Sequence, residues 1–141
     1  MVTLYYKIWT DCILRARSIR ANKHNWKQMT MIFMTISMTL NFMLIMTILQ
    51  KNILNNYFYQ INFNFLPKLI ENVLSFAILF ILPPTILNYL LIIRNDRYAK
   101  IIKKYRYHGG KLFLTYFMIS MFLPLALLLL GIITGHIGLT L

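Results

Sequence analysis

The sequence has few acidic residues and little charge of any kind. Three acids, Asp11, Glu71 and Asp96, stand against 15 Lys and Arg, and only 13% of the 141 residues are charged. A water-soluble domain carries about 25% charged residues. With 59% hydrophobic residues, most of the surface is expected to face lipid, and the length allows a single domain.

Chemistry-bearing residues are also scarce. The single cysteine, Cys12, cannot form an internal disulfide, and no Cys/His spacing matches a metal site. The sequence has no GxSxG, HExxH, phosphate-binding loop or paired carboxylates. His24, His108 and His136 lie near the ends of different apolar segments, so they do not converge. We therefore expect no metal, no cofactor and no enzymatic activity.

The net charge of +12 raises the question of a nucleic-acid partner. No zinc-finger, helix-turn-helix or RNA-binding motif accompanies this charge, so we do not expect one. The natural partners of an almost purely cationic surface in a membrane protein are anionic lipid headgroups or acidic surfaces of other proteins.

Three long segments carry no charge, namely residues 29–49, 72–93 and 112–133. Each is long enough to cross a bilayer, which takes about 20 mostly apolar residues. Each is apolar nearly all round, unlike a helix at the surface of a soluble protein. The sequence predicts an all-α membrane protein with three transmembrane helices and two short cytoplasmic amphipathic helices.

The basic residues are distributed unevenly between the connections. Segments 1–27 and 94–111 hold 13 of the Lys and Arg, whereas segment 50–71 holds Lys51 and Lys68 and the tail 134–141 holds none. Basic residues near span ends stay in the cytoplasm. We therefore predict a cytoplasmic basic tail (1–27), an external aromatic loop (50–71), a cytoplasmic basic helix-loop (94–111) and an external tail (134–141). A bacterial inner membrane is the expected location, with an organelle as the alternative.

Both cytoplasmic segments have helical periodicity. In the tail, Leu4, Ile8 and Cys12 recur on one face, which predicts a helix that lies in the headgroup region or packs on the span ends or a partner. In segment 94–111, Asn95 or Asp96 is expected to cap a second helix. The predicted contacts to anionic lipid or a partner are Arg15, Arg17, Arg20, Arg97, Lys100, Lys103, Lys104 and Arg106.

Polar and small residues in the spans predict a helix–helix interface, because hydroxyls and amides in lipid usually point at another helix and glycines allow close approach. The partner helix can belong to this chain, another copy or a foreign subunit. The predicted interface residues are Ser37, Asn41, Ser120, Pro124, Gly131, Gly135 and Gly138.

Two further features concern single positions. Pro83 and Pro84 remove backbone donors near the middle of the second span and predict a kink there, with Thr85 and Asn88 placed to satisfy freed carbonyls. Glu71 either pairs with Lys68 at the interface or marks a proton or cation site. Residues 59–65 alternate apolar and polar, which predicts an extended segment.

Taken with its size, this inventory predicts a non-catalytic accessory or scaffold subunit of a larger membrane complex. Three spans with polar and small-residue faces offer more interface than one small bundle uses. A small homo-oligomeric transporter or channel is the alternative, and a membrane enzyme acting on a phosphorylated lipid is the second.

Overall fold

The computed structural model describes residues 2–22, 24–50, 61, 63 and 67–133, and the side chains of all these except 2, 128, 131 and 132. Within this part of the chain the regular elements are all helical, which confirms the predicted class. The elements are α1 (Val2–Ser18), α2 (Trp26–Leu49), α3 (Lys68–Phe76), a π-helical turn (Ala77–Ile81), α4 (Leu82–Asn88), a second π-helical turn (Tyr89–Ile93), α5 (Arg97–Lys104) and α6 (Lys111–Ile133). Short 3₁₀ turns cover Arg20–Asn22 and Arg94–Asp96. The predicted extended segment 59–65 falls largely outside the described residues.

Two helices are long and apolar enough to cross a bilayer. They are α2 and the helical run Lys68–Lys104, and only 22% of the residues in the apolar window of each are buried. A helix in the core of a soluble protein would be mostly buried, so these exposed apolar surfaces support a membrane location. In α6 the residues with described side chains form an uninterrupted apolar stretch only as far as Leu127, within the helix Lys111–Ile133, and the third span stays a prediction.

The central helix is α2, which contacts both α6 and the α3–α4 run. Aromatic side chains fill the first contact, since the Phe33 ring lies 5.8 Å from Phe117 and 6.2 Å from Phe113 between centroids. Phe42 meets Phe80 of the π-helical turn in the same way at 6.3 Å. Edge-on ring pairs of this kind interlock neighbouring helices by shape.

Helix α1 packs against α2, α5 and α6. Its side chains Trp9 and Ile13 are fully buried and join Met34, Ile92 and Ile101 in one hydrophobic cluster. The sequence left three surroundings open for this helix: the headgroup region, the span ends or a partner protein. In the structure its apolar face packs on the ends of the long helices. We call α1, α5 and the 105–110 connection together the α1–α5 layer.

The prolines coincide with a change of helix type. The N–H of Leu82 bonds the carbonyl of Ala77, five residues back, where the π-helical turn ends and α4 begins. The hydroxyl of Thr85 donates to the Ile81 carbonyl, four residues earlier, at 2.7 Å. Asn88 instead bonds other helices, at Tyr5 and Thr35. Pro83 and Pro84 thus lie in the helical run directly after the π-helical turn, and the kink stays a prediction.

The connection from α4 to α6 turns sharply at both ends of α5. Asn95 and Asp96 have φ of 56° and 51°, a left-handed conformation that Asn and Asp tolerate best among residues with a side chain. Asp96 occupies the N-cap position of α5, as predicted, but its side chain makes no capping hydrogen bond. Gly110 has φ +81°, and a Cβ there would lie 3.0 Å from Cδ of Arg15, so this close approach requires glycine.

Candidate functional site

The α1–α5 layer contains an open groove of about 350 Å³. Its cations are Arg97, Lys100 and Lys104, which recur at i, i+3 and i+7 on one face of α5. No acidic side chain is among the lining residues, and the remaining lining is apolar or aromatic: Tyr6, Leu91, Ile101 and Tyr105. Three of the four α5 cations predicted as contacts therefore converge on one concave surface.

Three of these side chains are held in place. The guanidinium of Arg97 donates at 3.1 Å to the carbonyl of Leu90, in the second π-helical turn. Carbonyls in the last turn of a helix have no partner within it, and a cation is favoured there. The rings of Tyr6 and Tyr105 are stacked, with centroids 6.2 Å apart and planes 26° apart. This stack ties α1 to the end of α5.

The other predicted cations lie outside the groove. Lys103 and Arg106 are exposed on other sides of the connection, and Arg20 is exposed in the 3₁₀ turn after α1. Arg15 packs its aliphatic part against Gly110. The basic residues that the sequence groups together thus form two sets in the structure: those that line the groove and those that lie outside it.

Arg17 belongs to a separate cluster with two aromatic rings. Its Cζ lies 3.9 Å from the centroid of Trp26 and 5.6 Å from that of Tyr98, and the two rings meet edge-on at 5.1 Å. Lys27 lies 4.9 Å from the Tyr98 centroid, and its Nζ is 3.7 Å from Oδ1 of Asp96. Cation–π contacts of this kind join α1, α2 and α5 at one corner of the layer.

Asp11 has a role that the helical periodicity of the N-terminal tail does not predict. Its side chain is fully buried. Oδ1 accepts the N–H groups of His108 (2.8 Å) and Gly110 (3.1 Å), and Oδ2 accepts those of Leu112 (2.9 Å) and Phe113 (3.3 Å). A carboxylate from α1 thus caps the N-terminus of α6, where negative charge is favoured.

A sequence signal for this contact existed. The residues before α6 are His108, Gly109 and Gly110, and none of them offers the side-chain oxygen that usually caps a helix. The first amides of α6 therefore need an acceptor from elsewhere. Asp11 is the only acid in residues 1–70.

The polar groups of the long helices bond each other. Asn41 of α2 donates to Ser120 (2.8 Å) and to the hydroxyl of Tyr116 (3.2 Å) on α6. Tyr5 of α1 donates to Oδ1 of Asn88 at 2.8 Å. Burial raises the pKa of Tyr5, which keeps its hydroxyl protonated as the donor.

The remaining predicted interface residues have mixed surroundings. Ser37 is fully buried and donates to the Phe33 carbonyl of its own helix, while Pro124 is half-buried in α6. Gly131 lies in α6, but its surroundings are not among those described. Gly135 and Gly138 fall outside the described residues, so the glycine part of the predicted interface stays a prediction.

Glu71 lies at the opposite end of the long helices from the α1–α5 layer. Its Oε1 accepts the backbone N–H of Phe63 at 3.3 Å. Nearby, Ser75 bonds both the N–H and the carbonyl of Ile61. These contacts hold residues 61 and 63 against α3, which gives Glu71 a structural role and leaves its ion-binding role a prediction.

Cys12 is nearly fully buried in the hydrophobic cluster. Burial, and then the charge of the adjacent Asp11, raises the pKa of its thiol. The thiolate is the reactive form. The natural cysteine is therefore poorly placed for nucleophilic or redox chemistry.

Over the described residues, the fold and these contacts define an all-helical structure with two helices long and apolar enough to cross a membrane and a basic layer packed on their ends. No protein-family model, curated protein or solved structure matches the chain.

Proposed function

We propose that this chain is a three-span membrane protein that serves as a non-catalytic accessory or scaffold subunit of a larger membrane complex. Helix α6 is its third span, and the α1–α5 layer, with its two short amphipathic helices, lies at the cytoplasmic face of a bacterial inner membrane. The basic side chains of this layer contact anionic lipid or a partner subunit.

The observation that carries this proposal is how the polar groups of the long helices are used. Asn41, Asn88 and Ser120 make hydrogen bonds between helices of this chain. A transport path needs polar groups that line an open route, whereas these groups join α2, α4, α6 and α1. Such bonds favour a structural role over the homo-oligomeric transporter.

The α1–α5 layer adds a second argument. Asp11 joins α1 to the start of α6, and Tyr5 joins it to α4. A layer fixed at two separate points holds its exposed cations in one arrangement, which suits a platform for other subunits. The outward apolar surface of the long helices leaves room for both lipid and neighbouring helices.

We expect a stoichiometric foreign subunit to copurify with the tagged chain from its native membrane in mild detergent. The measurement is the mass of the complex after size exclusion, with each component quantified. A closed ring of this chain alone would support the transporter instead, and a lone monomer in several mild detergents would contradict both proposals. A tagged membrane protein of unrelated sequence, expressed at the same level, controls for nonspecific capture.

The orientation is tested by cysteine labelling in a Cys12→Ser background. Ala99→Cys, at an exposed position of α5, should resist a membrane-impermeant maleimide in intact cells and react after permeabilisation. Asn55→Cys, in the segment predicted to be external, should react in intact cells. The reverse pattern would overturn the predicted orientation, because it would place the basic connections outside.

A further inference from the structure

We infer that the groove on α5 is a binding site for the phosphate headgroup of an anionic phospholipid. This inference rests on the proposed function, because it takes α5 to lie at the surface of a membrane. The proposed contact residues are Arg97, Lys100 and Lys104, and the other cations of the same connection are not part of the site.

The groove is lined by positive charge. Three cations line it without an acidic side chain among the lining residues. Asp96, the acid next to Arg97 in the sequence, lies 3.7 Å from Lys27 instead. Lys100 and Lys104 are four residues apart on one helix, a like-charge spacing that destabilises a helix unless an anion lies between the charges. An anion in the groove removes this repulsion.

The guanidinium of Arg97 has hydrogen-bond donors available for a phosphate. One N–H of the Arg97 guanidinium is used by the Leu90 carbonyl, and a guanidinium has five N–H donors in a planar fork. The contact fixes the position of the group while leaving donors for a phosphate oxygen. Arg recognises phosphate through paired hydrogen bonds, and Lys adds a mobile point charge.

The apolar part of the groove favours a lipid over a free anion as the ligand. The floor of the groove includes Ile101, and Leu91 lines it from the second π-helical turn. Leu87, one turn before Leu91 on the same helical run, is exposed and continues the apolar surface into α4. An acyl chain can follow this surface while the phosphate stays with the cations. Inorganic phosphate has no apolar group that could contact this part of the groove.

The test is a titration of the purified chain in neutral detergent with short-chain phosphatidylglycerol, read as the melting temperature. A ligand that binds the folded state raises this temperature, and the stabilisation grows with the logarithm of the ligand concentration divided by its dissociation constant. We expect a rise with phosphatidylglycerol, and none with equal concentrations of short-chain phosphatidylcholine or inorganic phosphate. The groove variant Arg97→Gln/Lys100→Gln/Lys104→Gln should lose affinity by at least about tenfold, because each cation near an anionic headgroup contributes severalfold.

The matched control is Arg94→Gln/Lys103→Gln/Arg106→Gln, which removes the same charge from exposed positions of the same connection outside the groove. It should lose less than about threefold, since exposed charges at a distance are screened by salt. Equal losses in the two triple variants would overturn the groove site in favour of a diffuse basic surface. A rise with inorganic phosphate matching that with phosphatidylglycerol would overturn the lipid assignment, and so would an equal rise with phosphatidylcholine.

A second variant covers the case in which the groove variant is unstable. Lys100→Arg/Lys104→Arg keeps the charge and should keep the response to phosphatidylglycerol, whereas its loss would contradict the site. The titration uses the isolated chain and needs no partner subunit. Its failure is therefore separate from a failure of the copurification or labelling experiments, which test the proposed function.

Discussion

Asp11→Asn should destabilise the protein by about 3 kcal/mol or more, because four backbone N–H groups bond the buried carboxylate. Asparagine keeps one carbonyl oxygen and turns an NH₂ group toward two of those donors. Both the lost hydrogen bonds and the lost charge at the start of α6 act in the same direction. The measurement is the unfolding midpoint in mixed micelles of a mild detergent and dodecyl sulfate.

The matched control is Asp96→Asn, the same substitution in an exposed acid. Its side chain is 72% exposed, and its oxygen lies 3.7 Å from Nζ of Lys27. Exposed ion pairs contribute about 1 kcal/mol or less, and asparagine also tolerates the left-handed backbone of this position. Equally small losses in both variants would contradict the capping role of Asp11.

Trp9→Ala should destabilise the protein by about 3–5 kcal/mol, the cost of truncating a large buried aromatic side chain. Trp9 is fully buried in the cluster that includes Ile13, Met34 and Ile92. Its loss leaves a cavity where α1 meets the long helices. The unfolding midpoint in mixed micelles measures this loss as well.

Trp26→Ala is the control, and it should cost less, because that ring is only half-buried beside Arg17 and Tyr98. With two tryptophans in the chain, Trp9→Phe and Trp26→Phe each leave one emitter. In brominated lipid, Trp26 should be quenched more strongly than Trp9. Stronger quenching of Trp9 would mean that α1 lies in the headgroup region and is not packed on the protein.

The helices themselves were predictable because their signals are local. The uncharged segments 29–49 and 72–93 correspond to α2 and to most of the helical run Lys68–Lys104. Solvation by lipid depends on residue type alone, so composition over about 20 residues is sufficient. Helix α2 begins three residues before the predicted segment and ends with it at Leu49. The run Lys68–Lys104 is longer than predicted at both ends, because it includes the first turn of α3 and, after the left-handed Asn95 and Asp96, helix α5.

The partners of these helices were only partly predictable. Periodicity predicted a helix in the N-terminal tail, but it left open whether the apolar face meets lipid, the span ends or another protein. Burial of Trp9 and Ile13 against α2, α5 and α6 settles that choice within the chain. For Asn41, polarity predicted a contact with another helix, and its bond to Ser120 identifies α6.

By itself the sequence determined the all-helical class, the apolar segments and the strong bias toward basic residues, because each depends on composition and short-range spacing. The tertiary structure decided which cations share a groove and which acid caps α6. Asp11 accepts hydrogen bonds from backbone N–H groups that lie 97 to 102 residues away in the sequence, and the ring of Tyr6 stacks on that of Tyr105. Contacts over such separations arise only when α1 folds back onto the chain, and no local pattern encodes them.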